Sequence, residues 1–248
     1  MCSLQKRGRV YVLTLTGDGE HRLSLGLIEG LRAALARVRS ETAAEPRGGF
    51  ALVTTGEGKF FSNGFDLAWS LAAGSAAGSR ERLELMVSMF APVVADLMAM
   101  PLPTIAAVNG HAAAAGLILA LSHDYVIMRK DRGVLYMSEL DLGMPFPGYF
   151  LSLMRAKIAD PRTLRDVVLR ASKIRAAEAA ERKIIDGAVE TPEATLEAAV
   201  RMGEELAARK WEGKVYASIR MRAFSELCRE VGLEEADDEV RKMFIAKL

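Results

Sequence analysis

Histidine, cysteine and any bias of charge are scarce in this sequence, and each scarcity excludes a kind of chemistry. The 3 histidines, His21, His111 and His123, are too few for a His-based zinc site, and no metal is expected. The 2 cysteines, Cys2 and Cys228, stand far apart and in no metal-ligand spacing. They predict a reduced, intracellular chain without a disulfide framework. With 33 Lys and Arg against 32 Asp and Glu, the net charge of +1 gives no support for nucleic acid or an anionic membrane as the main partner. No apolar run is long and charge-free enough to span a bilayer, and residues 1–8 do not form a signal peptide. No Gly-x-Gly-x-x-Gly follows a strand, which disfavours a conventional dinucleotide enzyme.

What the chain does have is apolar residues, 50% of 248, enough for a sizeable core. Alternating or apolar runs predict strands over 9–16, 50–54, 104–108, 124–128 and 134–137. Helical spacing predicts helices over 25–40, capped by Ser24, and over 80–100, ended by Pro101 and Pro103. The Gly- and Ser-rich residues 67–79 read as a mobile loop. This alternation of strand and helix argues for an α/β domain of crossover units. Beyond Pro147 helices are predicted almost throughout, over 149–158, 161–170, 176–182, 193–209, 215–231 and 235–245. The expected division is a core over 1–190 and a helical extension over 191–248.

Three stretches could carry chemistry. In the first, 58–67, Asn63-Gly64 tolerates positive φ and can aim the Phe65 N–H out of the chain. Taken alone it also fits an ordinary strand-to-helix connection capped by Asp66. In the second, 109–124, the Asn109-Gly110 break is followed by four alanines, Gly116 and an apolar helix. Small side chains there leave the first-turn N–H groups open to an anionic oxygen, with Ala115 the best donor. A tightly packed core helix is the plainer reading. In the third, Glu139 lies beside Leu140 and Leu142, a setting that raises a carboxyl pKa and suits a general base. Asp141 is the competing carboxylate, and a surface glutamate is the alternative.

Taken in order, the segments 61–67, 103–112, 124–128, Ser138-Glu139 with Gly143, and 173–179 resemble the crotonase (enoyl-CoA hydratase/isomerase) superfamily. The resemblance implies an α/β fold, a crotonase-like spiral of ββα units with a C-terminal helical trimerisation region. It implies a homotrimer or hexamer. It implies an acyl-CoA thioester whose carbonyl is held by the backbone N–H groups of Phe65 and Ala115. Substrate contacts are implied at Ser62, Asn63, Gly64, Asp66, Leu67, Gly116 and Ile118. No cofactor is implied, because coenzyme A is part of the substrate.

Departures from the pattern narrow the activity. The family's hydratases place a second glutamate where this chain has Ile118, whereas Glu139 matches the other carboxylate. One carboxylate and two oxyanion donors fit a Δ3,Δ2-enoyl-CoA isomerase better than a hydratase. The resemblance is greatest to peroxisomal isomerases of this kind, acting in β-oxidation of unsaturated acyl chains. A hydratase, a dienoyl-CoA isomerase, a thioesterase and a non-catalytic acyl-CoA-binding protein are the alternatives. Ala171 and Lys183 stand where many relatives have glycine, and Phe65 is bulkier than the usual residue. Arg129 and Lys130 could meet the CoA phosphates by charge alone, with solvated surface as their other reading. The terminal Ala246-Lys247-Leu248 is a close variant of the Ser-Lys-Leu address read by the peroxisomal import receptor.

Overall fold

The computed structural model describes residues 1–233. The expected helix over 235–245 and the tripeptide Ala246-Lys247-Leu248 lie outside them. In chain order the elements are β1 (Cys2–Arg7), β2 (Val10–Leu15), α1 (Leu25–Thr42), β3 (Ala51–Gly56), β4 (Phe60–Ser62), α2 (Leu67–Leu71) and α3 (Ala76–Met98). Then come β5 (Thr104–Val108), β6 (His111–Ala113), α4 (Ala115–Leu121), β7 (Tyr125–Arg129), β8 (Leu135–Tyr136) and α5 (Glu139–Leu142). The last are α6 (Gly148–Lys157), α7 (Pro161–Leu169), α8 (Ala176–Glu181), β9 (Gly187–Val189), α9 (Pro192–Ala207), α10 (Gly213–Ala223) and α11 (Ser225–Glu230). None of the described helices is long and apolar enough to cross a membrane.

Two sheets organise the chain. The larger runs β1-β2-β3-β5-β7-β9, parallel except for the β1–β2 hairpin. The smaller is parallel throughout, in the order β4-β6-β8. Successive strands alternate between them: β3 then β4, β5 then β6, β7 then β8. This is the spiral of ββα units that the resemblance implied.

Both faces of the larger sheet are covered, as parallel strands require. On β2, Tyr11, Leu13 and Leu15 face the main core, while Val10 and Val12 face the other way. The opposite face, with Ala51, Val53, Ile105 and Ala107, is covered by Ala198, Ala199 and Ala207 of α9. Gly203 lets α9 sit close, since a Cβ there would lie 3.3 Å from the Val10 side chain.

The structure differs from the sequence reading in five places, one of them strand β9, which falls in the stretch read as almost wholly helical. Residues 67–79 are largely helical: Asp66 accepts from the Trp69 N–H to start α2, and Ser75 accepts from the Gly78 N–H to start α3. The short strands β4 and β6 occupy what reads as loop and turn, so Ala112 and Ala113 lie on a strand and the central helix starts only at Ala115. The helix expected over 215–231 is broken at Phe224, whose φ of −119° and ψ of 41° separate α10 from α11. Residues 2–7 form an edge strand that the sequence did not signal.

Candidate active site

The three candidate stretches leave the carboxyl ends of the three parallel strands of the smaller sheet. Residues 63–66 follow β4, Ala114 and Ala115 follow β6, and Met137 to Glu139 follow β8. Parallel strands present their ligand-binding loops at that end.

The first loop is held by its neighbours on every side. Asn109 is buried; its Oδ1 accepts from the Gly56 N–H at 3.0 Å, and its Nδ2 donates to the carbonyls of Gly58 at 3.1 Å and Phe60 at 3.3 Å. The buried His21 places Nδ1 3.0 Å from the Phe60 carbonyl oxygen, which makes that nitrogen the donor. Ser62 donates to the His21 carbonyl at 2.7 Å, Asn63 donates to the Glu20 carboxylate at 2.9 Å, and the Leu23 N–H donates to the Gly64 carbonyl at 2.8 Å. Asp66 caps α2, and Leu67 is half-buried against the core.

Expected to touch substrate, Ser62, Asn63 and Asp66 thus have side chains engaged in shaping the loop. Phe65 turns its ring inward, edge-on to Phe90 at 5.7 Å and stacked on Phe150 at 6.2 Å. Its bulk therefore supports the loop from beneath.

Close backbone approach joins the first two loops. Gly64 has φ +78°, and a Cβ there would lie 3.0 Å from the Ala113 carbonyl oxygen and 3.4 Å from the Ala115 nitrogen. A Cβ on Gly116 would lie 2.2 Å from the Ser62 carbonyl oxygen. Glycine is required at both. Ala114 takes φ 49° and ψ −126°, a conformation that disfavours any side chain, and its N–H donates to the Tyr136 carbonyl at 2.8 Å. Ala115 then begins α4, so its N–H has no carbonyl four residues back within the helix. Among the described residues, neither the Phe65 N–H nor the Ala115 N–H donates to a partner.

The third loop carries a buried acid. Glu139 is 7% exposed, and its Oε2 has no hydrogen-bond partner among the described residues. Burial pushes its carboxyl up to about 7, against the opposing pull of the Glu139 and Ser138 N–H groups. Leu140 and Leu142, expected to supply the apolar setting, are 51% and 54% exposed, so the burial comes from the surrounding fold. Asp141, the competing carboxylate, is exposed and accepts the Tyr136 hydroxyl. The fully buried Ile118 on α4 offers no polar group.

The family of enoyl-CoA hydratases/isomerases matches residues 7–246. The chain belongs to this family. It is 55% identical over 235 residues to the Arabidopsis thaliana protein named enoyl-CoA delta isomerase 2, peroxisomal, covering 94% of this chain and 96% of that one. To enoyl-CoA delta isomerase 1, peroxisomal, of the same plant it is 45% identical over 250 residues, 100% of both chains. The fold is shared with an enoyl-CoA hydratase/isomerase family protein from Pseudomonas syringae at a TM-score of 0.79 and 22% identity, over 93% of each chain.

Two departures read from the resemblance, Ala171 and Lys183, take a definite conformation in the structure. Both have positive φ, 46° and 56°, so the conformation that glycine favours is kept without the glycine. Arg129, read as a phosphate contact or solvated surface, is instead buried, paired with Asp131 and donating to the Asn109 carbonyl at 3.2 Å. Lys130 pairs with Glu190 at 2.7 Å. Sequence reading missed Asn109, His21 and Tyr136 as organisers of the site. The partners of Asn109 and His21 are backbone atoms distant in sequence, and the five-residue Tyr136–Asp141 spacing matches no periodic pattern.

Proposed function

We propose that this chain is a Δ3,Δ2-enoyl-CoA isomerase using Glu139 as its single acid–base group and the Phe65 and Ala115 N–H groups as its oxyanion hole. The observation that carries this reading is the buried Glu139 carboxyl, whose Oε2 has no hydrogen-bond partner among the described residues, on a loop beside two undonated N–H groups, with Ile118 where a hydratase needs a second acid. The thioester carbonyl accepts from both N–H groups. Glu139 takes a proton from C2, the negative charge spreads over the dienolate oxygen, and the same carboxyl returns the proton at C4. The double bond moves from C3–C4 to C2–C3. A carboxyl poised near neutrality suits both halves of that transfer. Each oxyanion donor contributes about 10²–10³ in rate in other enzymes. The chemistry is a proton shift with no net redox change, so it calls for no cofactor beyond the CoA of the substrate.

Gly64 and Gly116 serve as the close-approach points, and Ile118 and Leu67 as apolar contacts. The names of the Arabidopsis isomerases support a place in peroxisomal β-oxidation of unsaturated acyl chains. We also propose that residues 191–248 extend the 1–190 core and help assemble a homotrimer or hexamer. The exposed Ile219 of the extension, with Leu169 of the core, offers apolar surface for that assembly.

The test is conversion of a 3-enoyl-CoA to the conjugated 2-enoyl-CoA, followed by the rise in conjugated-thioester absorbance. Wild type and Glu139→Gln are run together, with hydration of 2-enoyl-CoA as control. Isomerisation that is lost in the variant, with little hydration, is the expected result. Strong hydration, or CoA release by thioester hydrolysis, would replace the isomerase reading.

A further inference from the structure

Glu139 sits at the start of a helix too short to hold itself in place. α5 has four residues, Ser138 makes no side-chain cap, and an isolated helical turn is unstable in water. Its far end is closed by Gly143 in the left-handed conformation, with the Met144 N–H donating to the Glu139 carbonyl at 2.9 Å. The near end depends on Tyr136. From β8 its hydroxyl reaches over the intervening residues to the Asp141 carboxylate, bracketing Ser138, Glu139 and Leu140. The Lys173 ammonium lies 4.9 Å from the centre of the same ring and fixes it from outside. The backbone of Tyr136 works in the other direction, its carbonyl accepting from Ala114 N–H at 2.8 Å, immediately before Ala115.

We propose that Tyr136 is a positioning residue that sets the Glu139 carboxyl against the Ala115 N–H, through its hydroxyl on Asp141 and its carbonyl on Ala114. In this arrangement Asp141 is an anchor and does not compete as a base. The inference rests on the isomerase reading for its kinetic consequence only; the geometry of the strut stands apart from it.

Three substitutions test it. Tyr136→Phe removes the hydroxyl and keeps the ring and the carbonyl. Asp141→Leu removes the acceptor, and Asp141→Asn keeps a carbonyl that the hydroxyl can reach. Tyr136→Phe and Asp141→Leu should each lower kcat about five- to tenfold with KM within about twofold, the scale of one ordinary solvent-exposed hydrogen bond. The double variant should fall no further than either single one, because both break the same contact. Asp141→Asn should retain at least roughly half of wild-type turnover, since its carbonyl still accepts.

The titration midpoint of the Glu139 carboxyl, read by carbon NMR, needs no turnover. In Tyr136→Phe it should fall from about 7 toward the ordinary 4.5 as the loosened turn admits water. Losses that multiply in the double variant, or an unmoved midpoint in a folded Tyr136→Phe protein, would overturn the strut. A wild type that does not isomerise, alongside a midpoint that still moves in Tyr136→Phe, would overturn the isomerase reading and leave the strut standing.

Discussion

Glu139 and Asp124 are both taken out of water, yet the fold treats them in opposite ways. Asp124 follows the end of α4, with its side chain 11% exposed. It accepts from Arg220 through Nε and Nη2, both at 2.6 Å, from the Thr104 N–H at 2.9 Å and from the Tyr216 hydroxyl at 3.2 Å. Burial pushes its pKa up, but the Arg220 charge and these hydrogen bonds outweigh it and hold the group below the ordinary range. Glu139, on the loop beside the start of α4, has an oxygen with no partner and is pushed up to about 7 by burial. A saturated carboxylate is fixed in one charge state and can only hold structure. An unsaturated one can change its charge near neutral pH, which is what proton transfer needs.

The largest expected effects separate these roles. Glu139→Gln should lower isomerisation by about 10²–10⁴, the range for loss of a general acid–base group, while the protein stays folded. Arg220→Met should do the reverse. It leaves Asp124 buried without its cation and strips the donor from the carbonyls of Leu97, Met98, Met100 and Leu102. Breaking a buried pair from one side costs about 3–5 kcal/mol, so urea unfolding should show a loss of that size. Turnover per folded molecule should hardly change. A stable Arg220→Met protein with lost turnover would erase the distinction between the two ends of α4.

The pH dependences should also run in opposite directions. Glu139 is a better base when ionised, so kcat/KM should rise through a midpoint near 7 as pH increases. Its folded pKa lies above the unfolded 4.5, so the folded state binds more protons between those values and stability falls as pH rises from about 4.5 to about 7. The cost above 7 is about 3 kcal/mol. Glu139→Gln should therefore be more stable than wild type at pH 8, with the advantage fading toward pH 4.5. Asp124 has a lowered folded pKa, so its contribution is present above the unfolded value and is lost as pH falls through the folded one. Chemical denaturation of both proteins across pH separates the two carboxylates. Equal stability of Glu139→Gln and wild type at pH 8 would mean that Glu139 is not held at a cost.

The two ends of α4 were not equally legible in the sequence. Phe65 and Ala115 were candidates because small residues and glycines mark close backbone approach, and Glu139 because of its apolar neighbours; their roles came from the ordered resemblance, and Gly64 and Gly116 do meet opposing backbone. The long buried strands of the larger sheet announced themselves by apolar runs. Of the smaller sheet only β8 was legible, read as a strand over 134–137, since β4 and β6 have three residues each, too short for any periodicity. Edge strand β1 was hidden by its polar, exposed sequence. Residues 67–79 misled because composition suggested a loop while Asp66 and Ser75 supplied the caps that make helices. The Asp124–Arg220 pair joins residues 96 apart, and no local signal links them.

Backbone strain offers the finest contrast between site and scaffold. Ala114 and Lys183 both hold positive φ, 49° and 56°, where glycine is at ease. Lys183 links α8 to β9, away from the three loops of the site. Replacing it with glycine should raise stability by roughly 0.5–1 kcal/mol, the relief of the left-handed penalty less the entropy gained by the unfolded chain. Turnover should stay the same. Ala114 stands directly before the Ala115 donor, and its conformation is held by the bond to Tyr136. Ala114→Gly should also raise the melting temperature, yet lower kcat several-fold, because a freer backbone lets the donor wander from the thioester oxygen. If the two glycine variants behave alike, gaining stability with no loss of turnover, the strain at Ala114 belongs to the fold and not to the chemistry.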